Sequence, residues 1–341
     1  MSLSSVLIPL ITLSVLQANA IGPAASVQYD QALLEFLLWL HSQGVWRVRS
    51  LPGVDLCLVR YFDELSLSMA PYAVGEKTLA ACGHRTPYEP GPLSTKFPGA
   101  SRALKGWKRV YPCRTRAPLP FLAMLLAVAS MLLRGQRQMA LGVLLAFSGY
   151  LRPSELSGLK SDQVVEPQEF GGAHFKHLAI VLHHFSGLVP SKTGVFDESI
   201  LLDSPWFGEV ATMEISRLAR SRSAGAPVWS WQRAGLRAEW TSVMQALRFD
   251  KNELTVCLYG LRHGGASHDT LNRLRALHQV KERGRWVTDA SVHRYRKASL
   301  AQSELAKLTS AQQTAGRLLS RSVDRMLSDP VFLRKTMAGL L

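Results

Sequence analysis

Two arginines and one tyrosine are the residues best suited to phosphate chemistry. Arg152 stands after an apolar run in "GYLRPSELSGL", with Glu155 three residues later on the same helical face. Arg262 follows Leu261 in "YGLRHGGASHD", where small residues let backbones approach closely. A guanidinium is a planar fork that donates two parallel hydrogen bonds to phosphate oxygens. Two such forks would clamp one phosphodiester and neutralise the charge of a pentavalent transition state. Buried arginine is rare without a partner, and Glu155 is suited to orient Arg152. Tyr295 lies in "GRWVTDASVHRYRKAS", crowded by His293, Arg294, Arg296 and Lys297. Alone it reads as an interfacial aromatic on a basic helix; with the two arginines it reads as a nucleophile aimed at a phosphate.

The elements that must position these groups are mostly helical. "QYDQALLEFLLWLHSQ", Gln28 to Gln43, places Leu33, Phe36, Leu37 and Leu40 on one face, and a second helix begins near Val54. Residues 83–102 are rich in Gly, Pro and Ser and read as a loop, followed by a basic connector, "ALKGWKRVYPCRTRAPLP". The apolar runs "LPFLAMLLAVASMLL" and "MALGVLLAFSGYL" are cut by Arg134 and Arg137, which favours a buried helical hairpin over a membrane segment. "HLAIVLHHF" and "ESILLD" read as strands, and the turn-rich "SGLVPSKTGVFD" between them holds Lys192. Helices return after Ser204, and an amphipathic tail from Leu305 is free to dock elsewhere or on a partner. These boundaries divide the chain into an apolar segment at 1–27, a helical region at 28–112, a region at 118–304 that holds all the chemistry, and a tail at 305–341.

The chain has 341 residues, 40 of them Lys or Arg against 25 Asp or Glu, a net charge of +15. Such an excess points to a polyanion, nucleic acid by default, although ribosomal and membrane-surface proteins share it. The 47% of hydrophobic residues supports sizeable cores and excludes a disordered chain. Cys57, Cys82, Cys113 and Cys257 form no C-x-x-C pair, so neither a zinc site nor a disulfide framework is expected. His183 and His184, like Cys82-Gly83-His84, lack patterned partners and read as structural. "VLIPLITLSVLQANA" ends in a small-x-small signature, but no Lys or Arg precedes Arg47, so secretion is not expected. The stretch is also too short and Pro-interrupted for a membrane span.

Arg152, Lys192, Arg262, Trp286 and Tyr295, in that order, resemble the catalytic set of the tyrosine recombinase (phage integrase-like) family, with the "GRW" box of its eukaryotic mobile-element members. The pattern R-x(23)-W-x(8)-Y from Arg262 to Tyr295 matches the family's compact C-terminal spacing. The resemblance covers residues 118–300 well and residues 28–112 more loosely, as a helical core-binding domain. It implies an α+β, mostly α fold: a helical catalytic domain with a small antiparallel sheet, preceded by that domain. It also implies covalent DNA cleavage, with Tyr295 forming a 3′-phosphotyrosine, Arg152 and Arg262 holding the non-bridging oxygens, and Lys192 protonating the leaving 5′-oxygen. Trp286 donates only an indole N–H, so it binds or packs but does not shuttle protons. The expected partner is double-stranded DNA, with self-assembly into a multimer upon it. No cofactor, metal or membrane is expected, and the location is nuclear in a eukaryotic host, otherwise cytoplasmic or nucleoid.

One position departs from the family. Tyr259 stands where a His or Lys is usual, three residues before Arg262. A phenol, with an unperturbed pKa of about 10, is a poor base near neutrality. His263 is the nearby candidate to substitute, although adjacent helical positions point in different directions. Two other functions fit the same residues. A type IB topoisomerase has a related Arg/Lys/Arg/His/Tyr chemistry and would relax supercoils without exchanging partners, although Trp286 favours a recombinase. A non-catalytic DNA-binding relic of a mobile element would tolerate Tyr259. Singly, Arg152 is an ion-paired helix-start residue, Lys192 a loop lysine and Trp286 core; only their ordered co-occurrence argues for catalysis.

Overall fold

Buried apolar helix residues build two separate cores in this chain. The computed structural model describes residues 8, 12–86, 92–112, 117–168, 172, 176–183, 197–254, 257–296 and 298–340. The fold is mostly helical with a small three-stranded antiparallel sheet. It separates into two compact units, residues 1–115 and 116–341.

The first unit runs α1 (Val15–Ala18), α2 (Pro23–Ser42), α3 (Leu51–Leu67), α4 (Tyr72–Arg85), α5 (Leu93–Lys96) and α6 (Pro98–Val110). Leu33, Phe36 and Leu40 of α2 are buried as their spacing requires, and join Leu58, Phe62, Leu79, Phe97 and Trp107 in one core. The region expected as loop and connector is instead helical at 83–85, 93–96 and 98–110. The reason is the placement of its prolines. Pro92 precedes α5 and Pro98 opens α6, where the missing N–H costs nothing. The Asp55 carboxylate caps α6 from α3, accepting from the Gly99 and Ala100 amides at 2.8 Å each. Ala100, Leu104 and Trp107 face inward, while Arg102, Lys105 and Arg109 remain exposed.

In the second unit α7 (Phe121–Leu133) and α8 (Arg137–Ser148) form the expected buried hairpin, with α9 (Pro153–Ser157) after it. Strands β1 (Val164–Val165), β2 (Ala179–Leu182) and β3 (Glu198–Leu201) pair antiparallel in that order, with Ile180 opposite both Val164 and Ile200. Two-residue β1 is too short to leave a period in the sequence. The rest is helical: α10 (Glu209–Arg220), α11 (Arg233–Ala246), α12 (Tyr259–Leu271), α13 (Leu277–Arg283), α14 (Asp289–His293), α15 (Ala298–Ala306), α16 (Ser310–Ser320), α17 (Val323–Ser328) and α18 (Pro330–Met337).

The tail is not a free appendage. α16 and α18 pack on α7, and Leu319, Met326, Leu333 and Met337 belong to the same core as the hairpin. Asp324 of α17 caps α10, accepting from Val210 N at 2.9 Å and Glu209 N at 3.2 Å. Among the described residues no helix is long and apolar enough to cross a membrane.

Candidate functional site

The small residues of α12 decide how close the site's helix comes to the hairpin. A Cβ on Gly265 would lie 2.0 Å from the Phe147 carbonyl oxygen, and one on Gly264 would lie 2.4 Å from that of Leu119. Both obstacles are backbone, so neither can step aside. Gly265→Ala is therefore expected to cost about 3 kcal/mol, seen as a lowered melting temperature; an unchanged one would contradict this packing.

That close approach sinks Arg262 to 1% exposure. Its Nη1 donates to the Tyr150 carbonyl at 2.6 Å and its Nη2 to that of Gly284. Its Nε–H is buried and has no hydrogen-bond partner among the described residues. Burial pushes the Arg262 pKa down to about 10, helped by the charges of Arg285 and Arg152 and opposed by Glu155 and Tyr259. The group remains cationic at neutral pH. It is a buried cation facing other cations with a donor unspent, the state an oxyanion relieves.

Glu155 organises the other cations. Its carboxylate, 3% exposed, pairs with the Arg152 guanidinium, accepts from Arg152 N at 2.7 Å, and accepts from Arg285 Nη2 at 2.6 Å. Arg285 was not among the expected site residues. Its place inside the "GRW" box was the available signal. Arg285 Nε also lies 3.3 Å from Glu198 Oε2, at the start of β3.

The aromatic groups close the other side. The Arg262 guanidinium carbon lies 4.7 Å from the Trp286 ring centre, and the Tyr295 ring centre lies 4.7 Å from Trp286 on its own account. Trp286 covers Gly284, where a Cβ would meet the indole at 1.8 Å. Tyr295 occupies a 3₁₀ turn, Arg294–Arg296, after α14 rather than the end of a basic helix. It is 4% exposed, buried with Tyr150, Ala266, Val280 and Val292. His263 packs between two phenols, its ring centre 5.2 Å from that of Tyr295 and 5.0 Å from that of Tyr259. One helical turn, from 259 to 263, thus brings an imidazole to Tyr295 despite the phenol at 259.

Lys192 lies outside the described residues. The strands that flank it are present, and Asp197 N donates to the His183 carbonyl at 3.0 Å where they part. Behind the site runs a second polar network. Tyr150 donates to Asp269, Arg275 pairs with both Asp269 and Asp203, and Arg283 pairs with Asp203 and donates to the Ser148 and Leu201 carbonyls. It ties α8, β3, α12 and α13 together and aims the Tyr150 carbonyl at Arg262. Tyr150, His183 and Arg285 are non-glycine residues with φ of 47°, 54° and 53°. Left-handed backbone costs roughly 1–2 kcal/mol per residue and persists where surroundings over-determine it.

No family model matches the chain, and no curated protein matches it. Glu155, His183 and Glu198 bring potential metal-ligating atoms within 4.8 Å of one another. Both Glu155 oxygens are taken by Arg152 and Arg285, and Glu198 faces Arg285, so the trio is better described as an ion-pair network. Cations held by buried acids, a spare buried donor and an adjacent phenol suit one oxyanion and one nucleophile.

Proposed function

We propose that this chain is a site-specific DNA recombinase, cleaving and rejoining strands through a 3′-phosphotyrosine at Tyr295. The single observation that carries the reading is the indole of Trp286 lying against both the Arg262 guanidinium and the Tyr295 ring, beside Arg152 on Glu155. In the forward step the Tyr295 oxygen bonds to phosphorus while the bond to the 5′-oxygen breaks. The phenol gives up its proton, for which His263 is the adjacent acceptor, and the leaving 5′-oxygen gains one, the role the family resemblance implies for Lys192. The phosphodiester is exchanged rather than hydrolysed, so a 5′-hydroxyl reverses the step without an energy source. Arg152 and Arg262 stabilise the charge that develops on the non-bridging oxygens. In this reading residues 118–304 are the catalytic domain with the tail at 305–341 packed on its core, residues 28–112 a helical core-binding domain, and the protein assembles as a multimer on duplex DNA.

The packing of His263 on Tyr295 favours an enzyme over a DNA-binding relic, because it supplies an imidazole that Tyr259 does not. The deciding assay is a nicked duplex whose cleaved fragment diffuses away, incubated with the protein in EDTA and run on a denaturing gel. A covalent adduct is expected; its absence over a wide range of sequences would make the relic the better reading. Relaxation of supercoils with no exchange of partner strands would instead indicate a topoisomerase. Affinity for duplex DNA should fall by about three orders of magnitude between about 50 and 200 mM salt, as counterions released by neutralised phosphates require. An affinity unchanged by salt in a filter-binding or anisotropy titration would contradict the +15 charge having this use.

A further inference from the structure

We propose that Arg285 is a positioning residue: it braces Glu155 against Glu198, so that Glu155 holds the Arg152 guanidinium in line with the phosphate. This rests on the strand-cleavage reading above. The side chain of Arg285 is 4% exposed, against 16% for Arg152, so Arg285 is the shielded member of the pair. Its Nη2 donates to Glu155 at 2.6 Å and Nη1 to the Arg283 carbonyl at 3.2 Å, while Nε faces Glu198 Oε2 as an ion pair at 3.3 Å without a hydrogen bond. Glu155 accepts from Arg152 through its main-chain N–H as well as its guanidinium, so moving that carboxylate moves Arg152. Without Arg285 a 3% exposed carboxylate loses one of its two cationic partners and the contact that fixes its plane.

The backbone supports the same role. Arg285 has a φ of 53°, between Gly284 and the indole that covers it. Glycine adopts this conformation without penalty. A side chain here is justified by what the guanidinium holds, not by the turn.

That strain also provides the test, since Arg285→Gly removes the guanidinium while easing the backbone. Adduct accumulates on a substrate that cannot religate, so slow variants remain measurable in the full-length protein. In Arg285→Gly the single-turnover adduct rate should fall about 10²-fold, as a misplacement near 1 Å would produce, with DNA affinity unchanged. Glu198→Gln, which keeps the shape of the side chain but not its charge, should lower the rate in the same direction and by less. The decisive comparison repeats Arg285→Gly in an Arg152→Lys background, where there is no fork left to aim and the glycine should cost almost nothing. An equal loss in both backgrounds, or a wild-type rate in Arg285→Gly, overturns the positioning role and leaves strand cleavage standing. A wild-type protein that forms no adduct overturns both.

Discussion

Tyr295→Phe is expected to abolish covalent protein–DNA adduct while leaving the fold and DNA affinity almost unchanged. The ring packs on Trp286 and His263 and is buried with Tyr150, Val280 and Val292, contacts that phenylalanine reproduces. Loss of a tyrosine hydroxyl costs about 1 kcal/mol for each hydrogen bond it makes. The chemistry has no such margin, since phenylalanine has no oxygen to bond to phosphorus. Tyr259 is the other phenol packed on His263, so Tyr259→Phe is the matched control. It should retain adduct formation, because the phenol packed on the indole that also covers the Arg262 guanidinium is Tyr295. Adduct surviving in Tyr295→Phe and lost in Tyr259→Phe would reverse the assignment.

Arg262→Gln should slow adduct formation by about 10²–10³-fold, the effect of removing one preorganised donor at a developing oxyanion, worth about 3–4 kcal/mol. Stability should change far less, because two effects oppose. The Tyr150 and Gly284 carbonyls lose their donor, at about 1–3 kcal/mol. Against that, the fold no longer buries a guanidinium whose pKa its surroundings push down to about 10. A thermal melt close to wild type beside a single-turnover rate down at least a hundredfold is the expected pair of results. A rate near wild type would mean that Arg262 is a structural anchor for two carbonyls and not a phosphate ligand.

The parts of this site that were legible in the sequence are those that depend on residue type. Arg152, Glu155, Arg262, Trp286 and Tyr295 stand out because a fork, its acid, an indole and a phenol at fixed spacing have few other uses together. The α7–α8 hairpin was legible as two apolar runs cut by Arg134 and Arg137, and the inward face of α2 by its apolar periodicity. Other features depend on which backbone groups meet in space. The Tyr150 carbonyl that receives Arg262 leaves no trace in a string of letters, nor does the meeting of Asp203, Asp269 and Arg275. Arg285 stood in the "GRW" box beside other cations, and its buried pairing with Glu155 and Glu198 is a matter of packing that the letters do not carry. Helices α5 and α6 were masked by prolines, which mark a loop and a helix start equally well. The tail gave an amphipathic pattern, but a pattern does not say which core receives it; here α7 does.

The central claim is that Tyr295 becomes covalently joined to a DNA 3′-phosphate. The most direct measurement is to trap wild-type protein on a nicked duplex, digest both DNA and protein, and locate the nucleotide-bearing peptide by mass spectrometry. The account predicts a single modified peptide, carrying a 3′-linked nucleotide on Tyr295 and no label on Tyr259. A nucleotide on any other residue, or protein that cuts DNA without retaining a covalent nucleotide, would contradict it.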